Sequence, residues 1–251
     1  MKSAEAAAPL IGAAAVLIAW QASVILGHIP AVLLPSPGAV VSRLFDEWPR
    51  LWADAGVTCG EALAAFAFAV TAGVGIAMLM TLRPGARQAL QPHLVLFQLV
   101  PKVALGPLFI TWFGLGWSSR IAFAMFVSVF PVAIGALTGF SRVDPAALRL
   151  LLACRATRWQ VFRHLRLPGA ASYIFAGTKV AATMAFTGAT VGEFLSAQSG
   201  LGYAILNAAS VSDTPLIFAA LLLLCALGAA LYGGVVAVEA GVRRAMAAGP
   251  S

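Results

Sequence analysis

Six apolar runs of about 20 residues each, parted by polar breaks, leave this chain very few ways to fold. They lie at 9–27, 61–82, 94–113, 119–140, 170–195 and 215–239. Runs of this length read as membrane-crossing helices, because a helix satisfies its own backbone hydrogen bonds where no water is available. The composition agrees, with 61% hydrophobic and 10% charged residues. The expectation is an all-α polytopic membrane protein, a single domain over 1–251 with six spans. The first run is too long for the apolar region of a signal peptide, and no clear cleavage site precedes His28, so it is read as retained. The segment 33–60 mixes charges of both signs with Trp48 and Trp52, which suits a short helix at the membrane surface. Pro101, Gly106 and Pro107 interrupt the third run, and Pro131 lies within the fourth. Each frees backbone groups that neighbouring helices or a wet cavity must satisfy.

The long exception is 142–168, RVDPAALRLLLACRATRWQVFRHLRLP, with six arginines. Two short helices are legible in it. Asp144 is a good N-cap with Pro145 at the first helical position, ahead of the helical run Ala146 to Ala153. Thr157 and Gln160 have capping-box spacing, so a second helix starts there and carries Trp159, Phe162 and Leu165 on one side. Leu167-Pro168 is expected to end it. A basic helix pair between apolar spans needs a partner outside the lipid. From composition alone, anionic headgroups serve as well as a protein.

Counting charges orients the chain. With the N-terminus inside, the cytoplasmic side carries Lys2, Arg83, Arg87, the six loop arginines, Arg243 and Arg244, eleven of sixteen basic residues. The outer side carries Arg43, Arg50 and Arg120, and the 196–213 loop has no Lys or Arg. Both termini and the arginine-rich loop are therefore expected in the cytosol. Arginines gathered at span ends also argue against nucleic-acid binding. The three cysteines and three histidines are scattered, without metal spacing or a disulfide framework.

Several stretches, in order, carry a family resemblance: LPSPGAVVSRL, LVPKVALGPLFITWFGLG, FPVAIGALTGFSRVDP, ATRWQVFRHLRLPGAASYIFAGTKVA and VGEFLSAQSGLGYAI. The chain resembles the permease subunits of binding-protein-dependent ABC importers, of the nitrate, taurine and sulfonate class. The resemblance implies the type I importer permease fold, a bacterial inner-membrane location, a homodimer, two cytoplasmic ATPase subunits and a soluble solute-binding protein outside. It also implies that 149–168 is the coupling loop, with Arg155, Ala156, Thr157, Arg158, Trp159, Gln160 and Phe162 meeting the ATPase. The implied cargo is a small polar solute, first of all an anion such as a sulfonate or nitrate. One departure stands out. Such permeases begin this loop with Glu-Ala-Ala and place a glycine six residues after the glutamate. Here Arg149-Leu150-Leu151 and Arg155 take those places. A glycine supplying positive φ is poorly replaced by arginine, so the first short helix is expected to sit differently or the ATPase to compensate with acidic residues.

The chain has no G-x-x-x-x-G-K-[ST] phosphate loop, so ATP and magnesium are expected only in the partner ATPase. Candidates for the translocation path are Thr183, Thr187 and Thr190, which recur near helical spacing, with Glu193 and Lys102. Each threonine can instead bond its own helix backbone. Lys102 and Lys179 fit headgroup-level anchoring better than solute contact. Gly177, Gly188 and Gly192 permit close helix packing. An intramembrane enzyme lacks candidate catalytic groups here, and an ion-coupled transporter would need more ionisable groups within its spans.

Overall fold

The computed structural model describes residues 2–247, with side-chain burial given from Ile11 to Met246; Met1 and 248–251, the ends of the single-domain reading, lie outside the described residues. The chain forms α1 (Lys2–Leu26), α2 (Pro37–Asp46), α3 (Trp48–Leu82), α4 (Pro84–Leu99), α5 (Gly106–Phe113) and α6 (Trp117–Ser141). It continues with α7 (Pro145–Ala153), α8 (Arg158–Val161), α9 (Leu167–Ser196), α10 (Leu201–Ser210) and α11 (Thr214–Ala247). Among the described residues there is no strand. Four helices are long and apolar enough to cross a membrane: α3, α6, the continuous helix Arg158–Ser196 and α11. The pair α4 and Lys102–Phe113 makes a fifth only if its 99° bend lies within one span, and Ile11–Leu26 is a shorter apolar helix.

Three expectations change. The surface helix expected over 33–60 is α2 followed directly by the first turns of α3, a single helix of 35 residues that runs on through Glu61. The one break, at Glu47, has Pro49 just after it, and beyond Pro49 nothing stops the helix, while the segment's polar groups find partners on other elements. The third run is not one straight helix. Pro101 cannot donate to the ladder, and a 3₁₀ turn at Lys102–Leu105 redirects the chain before α5. Lastly, Leu167-Pro168 does not stop the second loop helix. A π turn at Phe162–Arg166 absorbs the missing proline N–H, with Leu167 N–H donating to Phe162 O, and the helix continues as α9.

The bundle is centred on α6 and α9, which run antiparallel against each other, with α3 across both. Small residues permit this closeness: Ala62, Ala65, Ala124, Ala185 and Ala189 are fully buried together. A Cβ at Gly188 would stand 2.6 Å from Ala124 Cα, so the two backbones touch where that glycine lies. Gly177 and Gly192 make the same approach, against Pro131 and Arg120. Further along, Ala77, Ala136, Phe140, Phe162 and Ala170 close the end of the bundle that carries α7 and α8. Val40, Leu51, Leu201 and Leu216 close the opposite end. There Trp20 of α1 donates to Pro35 O at 3.0 Å and packs on Phe218 of α11.

Candidate coupling loop and a buried polar node

The loop after α6 is built from local capping. Asp144 accepts from Ala146 N–H at 2.9 Å, and Pro145 opens α7. At the other end of α7, Arg155 N–H donates to Leu152 O at 3.0 Å and Ala156 N–H to Leu151 O at 2.9 Å. Those two bonds form a Schellman motif, whose turning residue needs a left-handed backbone. Arg155 supplies it at φ 55°, where an L side chain costs about 1–2 kcal/mol. The first short helix therefore keeps the turn that a glycine would give. The helix does not need to sit differently, because Arg155 takes the left-handed backbone itself at the cost of strain.

Thr157 and Gln160 then form the complete capping box: Gln160 N–H donates to the threonine Oγ1, and Thr157 N–H donates to Gln160 Oε1 at 2.7 Å. That box presents Arg158 and Trp159 outward, with Trp159 50% exposed. Phe162 corrects the expected surface. It is 2% exposed, stacked beneath Trp159 at 5.6 Å and packed on Phe140 at 5.0 Å. It seats the loop on the bundle instead of facing a partner. Arg166 donates to Phe140 O at 2.8 Å, and Arg142 donates to Tyr173 Oη at 2.9 Å, so both ends of the loop are pinned to α6 and α9. A cavity of about 350 Å³ lies between the loop and the end of α3, bordered by Leu82, Leu152, Ala156 and Arg158.

The threonine stripe falls on α9. Thr183, Thr187 and Thr190 border a groove of about 680 Å³ shared with Cys225 and Tyr232 of α11. Each hydroxyl donates back to its own helix, to Val180 O, Thr183 O and Phe186 O. Lys102 lies apart from them, its ammonium 5.7 Å from the Phe130 ring centre. Lys179 pairs with Glu239 of α11 at 2.5 Å, an anchor rather than a path residue.

Glu193 is not in that groove. It is 1% exposed and belongs to a polar node that the sequence does not reveal. Its Oε1 accepts from Thr58 Oγ1 at 2.7 Å and its Oε2 from Gly202 N–H at 2.6 Å. Thr58 Oγ1 accepts from Leu201 N–H at 2.8 Å, and Asp54 Oδ1 accepts from Gly200 N–H at 2.8 Å. Beside them Arg120 Nη2 approaches Glu61 Oε1 at 3.1 Å, with both residues buried. Arg120, counted among the charges of the outer side, is 5% exposed in the first turn of α6. The signal for α3's share was its spacing: 54, 58 and 61 lie on one helical face. Near the node, Arg43 of α2 donates twice to Asp213, through Nε at 2.9 Å and Nη2 at 2.7 Å. That hydrogen bond, with the carboxylate charge behind it, raises the guanidinium pKa above its ordinary value.

Residues 69–244 match the family described as binding-protein-dependent transport system inner membrane component. The chain belongs to that family. The permease is 34% identical to the riboflavin transport system permease protein of Chloroflexus aurantiacus, over 86% of this chain and 81% of that protein. It is 29% identical to the formylaminopyrimidine transport permease protein of Halalkalibacterium halodurans, over 90% of this chain and 91% of that one. The taurine transport system permease protein of Escherichia coli is 28% identical, over 91% of this chain and 86% of its own length. A solved amino acid ABC transporter with histidines superposes with a TM-score of 0.62 at 17% identity, covering 80% of this chain and 96% of that one. The permease thus has the type I importer fold, and it is an inner-membrane transporter subunit, not an enzyme.

Proposed function

We propose that the permease is the membrane conduit of an ATP-driven importer, worked through its 142–168 loop by a separate ATPase. The observation that carries this is the loop's construction: a capped helix, a strained turn and a capping box, pinned at both ends to the α6–α9 pair. A lever that transmits force must be stiff and joined to the helices it moves, and this one is both. Arg155, Ala156, Thr157, Arg158, Trp159 and Gln160 form its outward side, and Phe162 is the seat beneath.

In this reading both termini and the loop lie in the cytosol, where the basic residues are concentrated. Two copies pair, each engages one ATPase subunit, and a solute-binding protein docks outside. ATP and magnesium act in the ATPase, whose closure draws the loops together and re-orients the bundles. Thr183, Thr187 and Thr190 form one wall of the path, and Lys102, over the Phe130 ring at the bend after α4, stands away from it. The Glu193 oxygens are taken by Thr58 and Gly202, so this carboxylate positions helices instead of meeting the solute.

The cargo is a small polar solute, with an anion of the sulfonate or nitrate class as the first candidate. The taurine relative and an aliphatic sulfonate relative, 27% identical and also from Escherichia coli, support the anion. The riboflavin and formylaminopyrimidine relatives favour a second candidate, a flat nitrogen heterocycle. Melting shifts of the cognate binding protein with taurine, an alkanesulfonate, nitrate, riboflavin and formylaminopyrimidine decide between them. Coupling is tested with Trp159→Ala combined with Arg158→Glu. Loss of solute-stimulated ATP hydrolysis and uptake is expected, and retention of both rejects this docking surface.

A further inference from the structure

The node around Glu193 is more than packing. The first amides of α10 belong to Gly200, Leu201 and Gly202, and they are satisfied by Asp54, Thr58 and Glu193, side chains of two other helices. Gly200, the N-cap of α10, has no side chain to do this itself. The positive end of the α10 dipole adds to the attraction for the two carboxylates. A Cβ at Gly202 would stand 2.7 Å from Glu193 Oε2, so the glycine lets the clamp close.

The rest of the node is left incomplete. Glu61 Oε1 and Oε2 and Arg120 Nε and Nη1 are buried without a hydrogen-bond partner among the described residues. The buried Arg120 guanidinium has one carboxylate in reach, Glu61 at 3.1 Å, while Asp54 is met from the half-exposed side by Arg50 at 4.0 Å, which also reaches Glu47 at 3.9 Å. A half-satisfied charged cluster is a poor choice for stability alone. Arg120 is also well placed for a second partner. Gly192, the neighbour of Glu193, packs on the Arg120 side chain, and a small cavity beside Arg120 is bordered by Ser119, Gly192 and Ser196.

We propose that the node is a two-position latch on α10: Asp54, Thr58 and Glu193 hold its first amides in the conformation described, and the uncommitted Nε–H and Nη1–H of Arg120 receive Glu193 when α10 lifts from α3. The lift exposes the face of α10 that carries Ala204 and Ala208, now buried against Val40 and Leu51. The latch then couples the outer end of α9 to its cytoplasmic end, into which the coupling loop runs. This rests on the orientation given under Proposed function, with α10 at the outer surface.

The test uses the full chain with its ATPase and binding protein in intact cells, with Cys59→Ala, Cys154→Ser and Cys225→Ala as background. Ala204→Cys reports the lift through its rate of reaction with a membrane-impermeant maleimide. Thr58→Val keeps the side-chain shape but removes one bond to Glu193 and one from Leu201 N–H, so labelling should rise about fivefold. Arg120→Met with Glu61→Gln leaves no unpaired charge from that pair and removes every donor of the second position, so labelling should fall below that of the reporter alone. Opposite shifts support the latch. Shifts in the same direction, or no change with Thr58→Val, overturn it. Asn207→Cys, which is exposed, separates the two readings: labelling of that residue only after permeabilisation rejects the orientation, and the Ala204→Cys comparison in permeabilised cells then still decides the latch.

Discussion

The 142–168 loop takes its internal shape from bonds that reach only a few residues along the chain, three from Thr157 to Gln160 and two from Asp144 to Ala146, and only its two ends are tied to the bundle. The node at the other end of the bundle is held by bonds that reach 135 residues from Thr58 to Glu193 and 146 from Asp54 to Gly200. The loop keeps its charges in water and uses polar groups as caps. The node buries its charges and uses them to join helices. An element meant to dock on a changing partner can be folded by its own sequence, whereas one that registers the arrangement of a bundle must be assembled from several helices. The difference predicts that loop substitutions alter coupling and leave the bundle intact, while node substitutions alter the bundle itself.

The largest effect is expected at the node. Glu193→Ala strips two buried donors of their acceptor, at a cost of about 3–5 kcal/mol. The thermal midpoint of the detergent-purified permease should drop by many degrees, and an unchanged midpoint would make the node a bystander. Next comes Trp159→Ala. If this half-exposed ring anchors the ATPase, its loss should weaken the complex by about 2 kcal/mol while the melting curve stays in place. Weakened binding accompanied by a lower midpoint would mean that the ring serves the bundle instead.

Thr157→Ala should loosen the second loop helix by about 1 kcal/mol, seen as faster hydrogen exchange at Val161 and Phe162 with the node amides unaffected. The smallest effect has the opposite sign. Arg155→Gly relieves the left-handed strain and should stabilise the loop by about 1 kcal/mol, slowing exchange at Arg155 and Ala156. Faster exchange would show that the arginine side chain gives more to this turn than its backbone costs.

The same contrast explains what could be read in advance. Asp144, Pro145, Thr157 and Gln160 act on neighbours within one turn, so their residue types and spacing carried the message, and the helices began where the caps are. Arg155 was visible as a departure from a glycine, and the structure keeps the turn regardless of the side chain. Pro168 reads as a stop because a proline ends a regular α ladder, while the single π turn at Phe162–Arg166 needs one N–H fewer. The node was hidden for a deeper reason. Asp54, Thr58 and Glu61 share a helical face, but their charges also fit a surface helix, and only the partners decide. Those partners are a backbone turn and two side chains on α6 and α9, which no local spacing can specify.

Whether the 142–168 loop docks on the ATPase is decided by cross-linking of Trp159→Cys, in a chain free of other cysteines and expressed with its cognate ATPase. The expected result is a disulfide link from that position to a cysteine placed in the docking groove of the ATPase subunit, together with protection from impermeant maleimide in intact cells. Labelling of that cysteine from outside the cell, with no link to the ATPase, would contradict it.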